Sequence, residues 1–138
     1  MKFFCTVTFL LSLASVAFAR EESILARVTS YWAGEGSNYA STGERLRAGH
    51  CAVDPNRIPY GSKIVFADGV CTAVDTGSAV VNRKAARLCG RTASQLKAIV
   101  VDRFFETKRE AMAWTNARPE FMILQIVPPG SHRDLGEP

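Results

Sequence analysis

The sequence predicts a mainly β fold: a small closed barrel of five or six short strands with one or two short accessory helices. Apolar, β-branched segments recur along the chain, and the connections between them are irregular and rich in Gly, Ser and Asn. With 138 residues, of which 47% are hydrophobic and 22% charged, the chain has room for one domain around a single core and is not of the disordered class. Closing into a barrel removes the exposed strand edges of such a small β protein.

The first 19 residues are predicted to be an export signal and not part of the fold. Lys2 supplies a positive charge, residues 3–16 form an apolar run, and Ala17-Phe18-Ala19 is a small-residue cleavage site. The run is shorter than the roughly 20 apolar residues that a membrane span needs. Cleavage after Ala19 leaves 119 residues and lowers the net charge from +4 to +3. We therefore expect an exported protein (periplasmic, cell-envelope or secreted) with no membrane span after cleavage.

Five or six segments of the mature chain are predicted to be strands, depending on whether the short apolar piece at 50–53 is counted. In the first of them, ARVTSYW, apolar and polar side chains alternate as in a strand. Asp68-Gly69 lies between two apolar runs and predicts a hairpin. Residues 20–23 are expected to be a short flexible lead, the domain to span 20–127, and residues 128–138 to be a flexible tail. The strand segments are 26–32, 50–53, 63–67, 70–74, 97–101 and 121–127.

Two helices are predicted between these strands. Thr107 and Glu110 have the spacing of a capping box, in which each side chain satisfies an exposed amide of the other residue. Apolar residues then follow at helical spacing, and Pro119 marks the end of the helix. The second segment, 83–88, is short and ends near a glycine.

Three cysteines remain after removal of the leader, which contains Cys5. In an oxidising compartment we expect a disulfide between two of Cys51, Cys71 and Cys89 and one leftover thiol, and the sequence does not choose the pair. His50 and His132 are far apart in the sequence, so the cysteines make a weak case for zinc. Neither a metal nor a cofactor is predicted.

Three of the five aspartates, Asp54, Asp75 and Asp102, directly follow an apolar, strand-like residue. A carboxyl group at the end of a buried strand is partly desolvated, and this raises its pKa toward the range of a general acid. The alternative is that each carboxylate accepts hydrogen bonds from the amides of a turn. Asp54, which precedes Pro55, fits this alternative best.

Four ordered motifs resemble those of the 3D domain family, which is named for its three aspartates. The likeness covers about residues 28–127, and the resemblance implies a double-psi β-barrel with six strands. The family is similar to the catalytic domain of MltA-type lytic transglycosylases and to Sps/YuiC-like muralytic proteins, and more distantly to RlpA-like proteins and expansins. The motifs are Ala52-Val53-Asp54-Pro55, Ile58-Pro59-Tyr60-Gly61-Ser62, Ala73-Val74-Asp75-Thr76-Gly77 and Val101-Asp102-Arg103-Phe104-Phe105.

The resemblance implies cleavage of the β-1,4 bond between N-acetylmuramic acid and N-acetylglucosamine in peptidoglycan, with formation of a 1,6-anhydro end. One carboxyl group can perform this reaction by acting first as acid and then as base. By motif position this group is Asp102. The resemblance gives Asp75 a role in setting the proton affinity of Asp102 and in binding sugar, and Asp54 a supporting role.

Three further residues are candidates for substrate binding. Thr76 and Gly77 suit a turn whose backbone amides face the groove, and a glycine there lets a ligand approach closely. Tyr31 and Trp32 could stack on sugar rings or belong to the core. Alternation places the two aromatic residues on opposite faces of their strand, so at most one of them faces the groove. Tyr31 is the candidate of the two.

The sequence departs from the family pattern between the second and third aspartates. Asp102 lies 27 positions after Asp75, and this segment has five basic residues and no acidic residue. The basic residues could bind an anionic part of the substrate, such as stem peptides or the lactyl carboxylate of muramic acid, or they could form a solvated helix face. They are Arg83, Lys84, Arg87, Arg91 and Lys97.

Two functions therefore remain open at this stage. The first is an exported, monomeric lytic transglycosylase that acts on the glycan strands of peptidoglycan. The second is a non-catalytic, expansin-like or RlpA-like barrel that binds the cell-wall glycan. Nucleic-acid binding conflicts with the export signal, and the basic segment lacks the interleaved aromatic residues of such sites.

Overall fold

The strands of the protein close into a single barrel. The structure, a computed structural model, describes residues 20–131, so the predicted leader (1–19) and residues 132–138 of the predicted tail lie outside the described residues. The strands hydrogen-bond in the order β1-β5-β2-β4-β3-β6, and β6 pairs with β1 to close the barrel. This confirms the predicted six-stranded, mainly β fold. The strands are β1 (Glu22–Trp32), β2 (His50–Ala52), β3 (Lys63–Phe66), β4 (Gly69–Asp75), β5 (Ile99–Phe105) and β6 (Phe121–Val127).

The barrel has a two-fold repetition in its topology. Exchanging β1, β2 and β3 with β4, β5 and β6 leaves the order of neighbours around the barrel unchanged. Two pairs, β1 with β5 and β2 with β4, are parallel, and this exchange maps one pair onto the other. All other neighbours are antiparallel. The two halves of the chain therefore contribute equivalent sets of three strands to the barrel.

Two strands extend further than the sequence pattern indicates. β1 begins at Glu22, because its first residues pair with β6 (Glu22 opposite Ile126), so the expected flexible lead is wrong for residues 22 and 23. β5 continues to Phe105, because its last residues pair with the end of β1 (Phe105 opposite Trp32). Asp102 consequently lies within a strand and not at its end, which corrects the prediction.

Four short helices accompany the barrel in the described part of the chain. α4 begins with the predicted capping box, and α2 matches the predicted helix to within a residue at each end. α1 and α3 were not predicted. None of these helices has the length and apolar character that crossing a membrane would require. The helices are α1 (Ser78–Val81), α2 (Lys84–Cys89), α3 (Ala93–Lys97) and α4 (Lys108–Asn116).

Two groups of buried apolar residues position the helices and the site. The barrel interior is filled from all six strands, with Ile64 and Val101 fully buried. On the outer surface, Val80 of α1 and Ala86 of α2 pack against Val100 of β5. Burial of apolar surface stabilises this contact. The segment 78–97, called the helical insertion below, is therefore docked against the strand that carries Asp102.

Candidate functional site

Asp102 lies on the outer face of the barrel and faces the helical insertion. Because side chains alternate along a strand, Asp102 points away from the interior that the preceding Val101 fills. Its backbone is in register with Thr29 of β1 on one side and with Ala52 of β2 on the other. The Thr29 hydroxyl donates a hydrogen bond of 2.9 Å to Asp102 Oδ1.

This environment keeps the carboxyl group of Asp102 protonated to an unusually high pH. Burial is the largest cause and raises its pKa to about 7, and the negative charges of Glu35 and Asp75 act in the same direction. The hydrogen bond from Thr29 favours the carboxylate and opposes them. A carboxyl group with this pKa can both give and take a proton near neutral pH.

Asp75 is the last residue of β4, and three donors hold its carboxylate. The Tyr31 hydroxyl donates to Oδ2 at 3.0 Å, while the backbone amides of Ser41 and Thr76 donate to Oδ1 at 2.8 and 2.9 Å. Burial first, and then Asp75, raise the pKa of Tyr31, so its hydroxyl retains its proton and acts as a donor. The carboxylate orientation is thus fixed before any ligand binds.

A bulge at Val74 in β4, opposite the short strand β2, brings Asp75 and Asp102 to the same level of the barrel. Cys51 is in register with Ala73, but the register then shifts, so that Ala52 stands opposite Asp75 instead of Val74. Ala52 is also in register with Asp102. The two aspartates therefore flank one residue from both sides, two strand spacings or roughly 10 Å apart along the sheet. Bulges of this kind re-aim side chains at functional sites.

The third aspartate is not part of this arrangement. Asp54 follows β2, its Oδ1 accepts a hydrogen bond of 3.0 Å from the Asn56 amide, and its carbonyl accepts from the amides of Arg57 and Ile58. These bonds form an Asx turn. The structure places Asp54 in the architectural setting that its position before Pro55 indicated.

The remaining predicted site residues lie around the Asp75 turn in different environments. Tyr31 is half-buried with its ring edge-on to Phe104 at 5.2 Å, so its hydroxyl is bonded to Asp75 and its ring packs internally. Thr76 Oγ1 is buried without a hydrogen-bond partner, whereas its amide serves Asp75. Gly77 is exposed, and a Cβ there would meet no atom within 4 Å. The space in front of Gly77 is therefore open.

A cavity of about 260 Å³ connects Asp102 with the helical insertion. Asp102 and Thr29 form its polar end, and the rest of the lining is mostly apolar. The sequence pointed to Asp102 but not to Thr29, whose role depends on the pairing of β1 with β5, 73 residues away. The other lining residues are Ala79, Val80, Lys84, Ala85, Leu88, Cys89 and Val100.

The predicted disulfide is not formed in the structure. Cys51 and Cys71 are buried free thiols in the barrel interior, and burial raises the pKa of both. Cys89 is a free, exposed thiol in α2. Within residues 20–131 no three His, Cys, Asp or Glu side chains are grouped in a way that could hold a metal ion.

Comparison with known proteins gives one informative similarity. No family model matches the chain. Over 93 residues the chain is 36% identical to a protein of Bacillus subtilis (strain 168) named "Putative cell wall shaping protein YabE". The match covers 64% of this chain and 19% of the Bacillus protein, so the chain spans about a fifth of that relative's length.

Proposed function

We propose that this protein is an exported lytic transglycosylase of the 3D type, which cleaves the β-1,4 bond between N-acetylmuramic acid and N-acetylglucosamine. The observation that carries the proposal is the Asp102 carboxyl group, with a pKa of about 7, at the polar end of an open cavity. The similarity to a protein named for cell wall shaping supports peptidoglycan as the substrate and an extracytoplasmic location. The closed barrel agrees with the fold that the resemblance to the 3D family implies.

The reaction needs one carboxyl group that acts twice. Protonated Asp102 donates its proton to the glycosidic oxygen as the bond from that oxygen to C1 of muramic acid breaks. The Asp102 carboxylate then takes the proton of the C6 hydroxyl, whose oxygen forms the new bond to C1. The products are a 1,6-anhydro end and a free hydroxyl on the leaving sugar, water is not consumed, and Asp102 regains its proton.

Asp75 and its donors have a supporting part in this scheme. The charge of Asp75 helps to raise the pKa of Asp102, and its fixed carboxylate is available to accept hydrogen bonds from sugar hydroxyl groups. Gly77 leaves the space that a sugar ring needs next to the turn. Thr76 acts through its amide, which holds Asp75, and Asp54 maintains the turn after β2.

The test is digestion of purified peptidoglycan sacculi by residues 20–138, followed by mass spectrometry of the soluble products. We expect anhydro-muropeptides from the unchanged protein and none from Asp102→Asn. The matched control is Asp54→Asn, the same substitution at an aspartate outside the cavity, which should still release these products. Circular dichroism checks that both variants are folded.

The pH profile provides a second criterion. Because Asp102 must be protonated to begin the reaction, kcat/KM should fall as the pH rises through about 7. Products with reducing muramic acid ends would contradict the transglycosylase and indicate a hydrolase. Binding to sacculi without any soluble product would contradict catalysis and favour the RlpA-like, non-catalytic glycan-binding barrel.

A further inference from the structure

The cavity beside Asp102 is continued along the helical insertion by a second one. This second cavity has a volume of about 360 Å³ and is lined by residues of α1, α2 and the turn between them. It shares Ala79, Lys84 and Leu88 with the cavity that contains Asp102. The two cavities therefore adjoin each other, and together they are called the insertion groove below. Its outer part is lined by Ser78, Ala79, Asn82, Lys84, Arg87 and Leu88.

Two cations in this groove are not neutralised. Lys84 lines both cavities and forms no ion pair within residues 20–131. In the part of the chain that the structure describes, Arg87 has only a long hydrogen bond of 3.4 Å, from its guanidinium to the carbonyl of Asn82. No acidic residue lies between Asp75 and Asp102 in the sequence, so the insertion itself supplies no counter-charge.

The other basic residues of the insertion behave differently. Arg83 donates to the carbonyl of Leu96 at 3.1 Å and so ties α2 to the end of α3. Arg91 and Lys97 are exposed, as Lys84 and Arg87 are, but they line neither cavity. A general solvated face explains these two, but it does not explain why Lys84 and Arg87 line a groove that leads to Asp102.

We infer that the insertion groove binds a carboxylate-bearing substituent of the glycan strand and that Lys84 and Arg87 are residues that determine specificity for it. This inference rests on the proposed function, since it concerns the substrate of the same site. A glycan bound with its scissile bond at Asp102 extends a substituent along α2, where two cations meet the carboxylate. The lactyl group of unsubstituted muramic acid and the stem peptide both offer a carboxylate.

Binding is measured apart from cleavage, with the Asp102→Asn protein and soluble glycan strands in isothermal titration calorimetry. Three probes are compared: strands with stem peptides, strands stripped by an amidase so that the lactyl carboxylate is free, and neutral β-1,4-linked N-acetylglucosamine oligomers. We expect Lys84→Gln and Arg87→Gln each to weaken binding of a carboxylate-bearing probe about fivefold, the upper range for a solvent-exposed ion pair. Arg91→Gln, a basic residue of the same insertion outside the groove, is the matched control.

The pattern across the probes identifies the source of the carboxylate. Loss confined to peptide-bearing strands assigns the groove to the stem peptide, and loss with stripped strands assigns it to the lactyl group. The inference is overturned if the substitutions weaken binding of charged and neutral probes equally. It is also overturned if Lys84→Gln, Arg87→Gln and Arg91→Gln weaken binding equally. Absence of cleavage by the unchanged protein is a separate result, which contradicts the proposed function and leaves the binding comparison readable.

A second measurement uses the protein without substitutions, so it does not depend on whether a variant folds. Cys89 lines the Asp102 cavity and is exposed, whereas Cys51 and Cys71 are buried, so a maleimide should label Cys89 selectively in residues 20–138. Carboxylate-bearing strands should slow this labelling, and neutral oligomers at the same concentration should slow it less. Equal protection by the charged and neutral probes overturns the inference.

Discussion

The hydroxyl of Tyr31 links two parts of the site that are distant in the sequence. It donates to Asp75, which raises the pKa of Asp102. The sequence indicated Asp75 and Asp102 as candidates because each follows an apolar run within a motif. Thr29 and Ser41 could not, since their contacts arise from strand pairing and from a loop that folds over β4. The acidic residues are therefore visible in the local sequence, whereas the hydrogen-bond donors to their carboxyl groups are brought close by the tertiary structure.

At the scale of the residue, Tyr31→Phe tests whether this hydroxyl matters. The substitution keeps the ring and its contact with Phe104 but leaves Asp75 Oδ2 without its donor. We expect the free energy of unfolding to fall by about 1–2 kcal/mol in urea denaturation. On the proposed function, kcat for release of anhydro-muropeptides should fall as well. Tyr39→Phe is the control, because the Tyr39 side chain is exposed; equal stability of the two variants would contradict the prediction.

The helical insertion is the element that the sequence described least well. Only α2 was predicted, as residues 83–88. α1 has four residues, two of them valines, and no side-chain cap, so no local signal marks it as a helix. α3 did carry a signal, since the Thr92 hydroxyl accepts from the Gln95 amide as in an N-cap. The docking of Val80 and Ala86 on Val100 stabilises helices that would be too short on their own.

Gly90 allows the end of α2 to approach α3 closely. A Cβ at this position would lie 2.7 Å from the carbonyl oxygen of Ala86 and 2.8 Å from the amide nitrogen of Leu96. Both are backbone atoms, which cannot rotate away as a side chain can. Gly90→Ala must therefore push α2 and α3 apart, and we expect it to lower the free energy of unfolding by roughly 1–3 kcal/mol.

Two measurements check this prediction about the insertion. Urea denaturation gives the change in stability, and the rate of maleimide labelling of the adjacent Cys89 should change as α2 moves. Gly36→Ala is the matched control, because a Cβ at Gly36 meets no atom within 4 Å and its φ is not positive. If both alanine variants unfold at the same urea concentration, the contact between α2 and α3 does not constrain the insertion.

The whole barrel depends on pairings that no local pattern contains. The strand segments were predictable because alternation and the hairpin signal at Asp68-Gly69 are local. The hairpin is present between β3 and β4, but its two turn residues are Ala67 and Asp68, because Gly69 already pairs with Phe66. The neighbours of β1 are β5 and β6, at the far end of the chain, and their pairing set the true ends of β1 and β5. Resemblance to a known family, more than periodicity, made the six-stranded barrel predictable.

The pH dependence of stability is a property of the whole barrel. The carboxyl groups of Asp68 and Asp102 change the free energy of unfolding in opposite directions as the pH rises. At Asp68 burial alone would raise the pKa, but hydrogen bonds from Arg103 and Trp114 and the charges of Arg103 and Arg118 hold it below the ordinary value. This contribution is present above pH 3.8 and is lost as the pH falls further. Burial lowers the pKa of His50, which adds stability as the pH rises toward 6.5.

The contribution of Asp102 to stability changes with pH in the opposite direction to those of Asp68 and His50. Its pKa is 3.8 when unfolded and about 7 when folded, so between these values the folded state holds a proton that the unfolded state has lost. Its contribution is complete below pH 3.8 and disappears as the pH rises through about 7. At pH 8 the buried carboxylate should make the protein less stable than a neutral side chain would, by roughly 2–4 kcal/mol.

The difference between the unchanged protein and Asp102→Asn isolates this contribution, because Asp68 and His50 titrate in both proteins. Urea denaturation at intervals from pH 4 to pH 8 should show that Asp102→Asn gains free energy of unfolding, relative to the unchanged protein, as the pH rises. Most of that gain should fall between pH 4 and 7. Two stability curves that run parallel across this range would mean that Asp102 ionises as an ordinary aspartate, and the general acid of the proposed reaction would be lost with it.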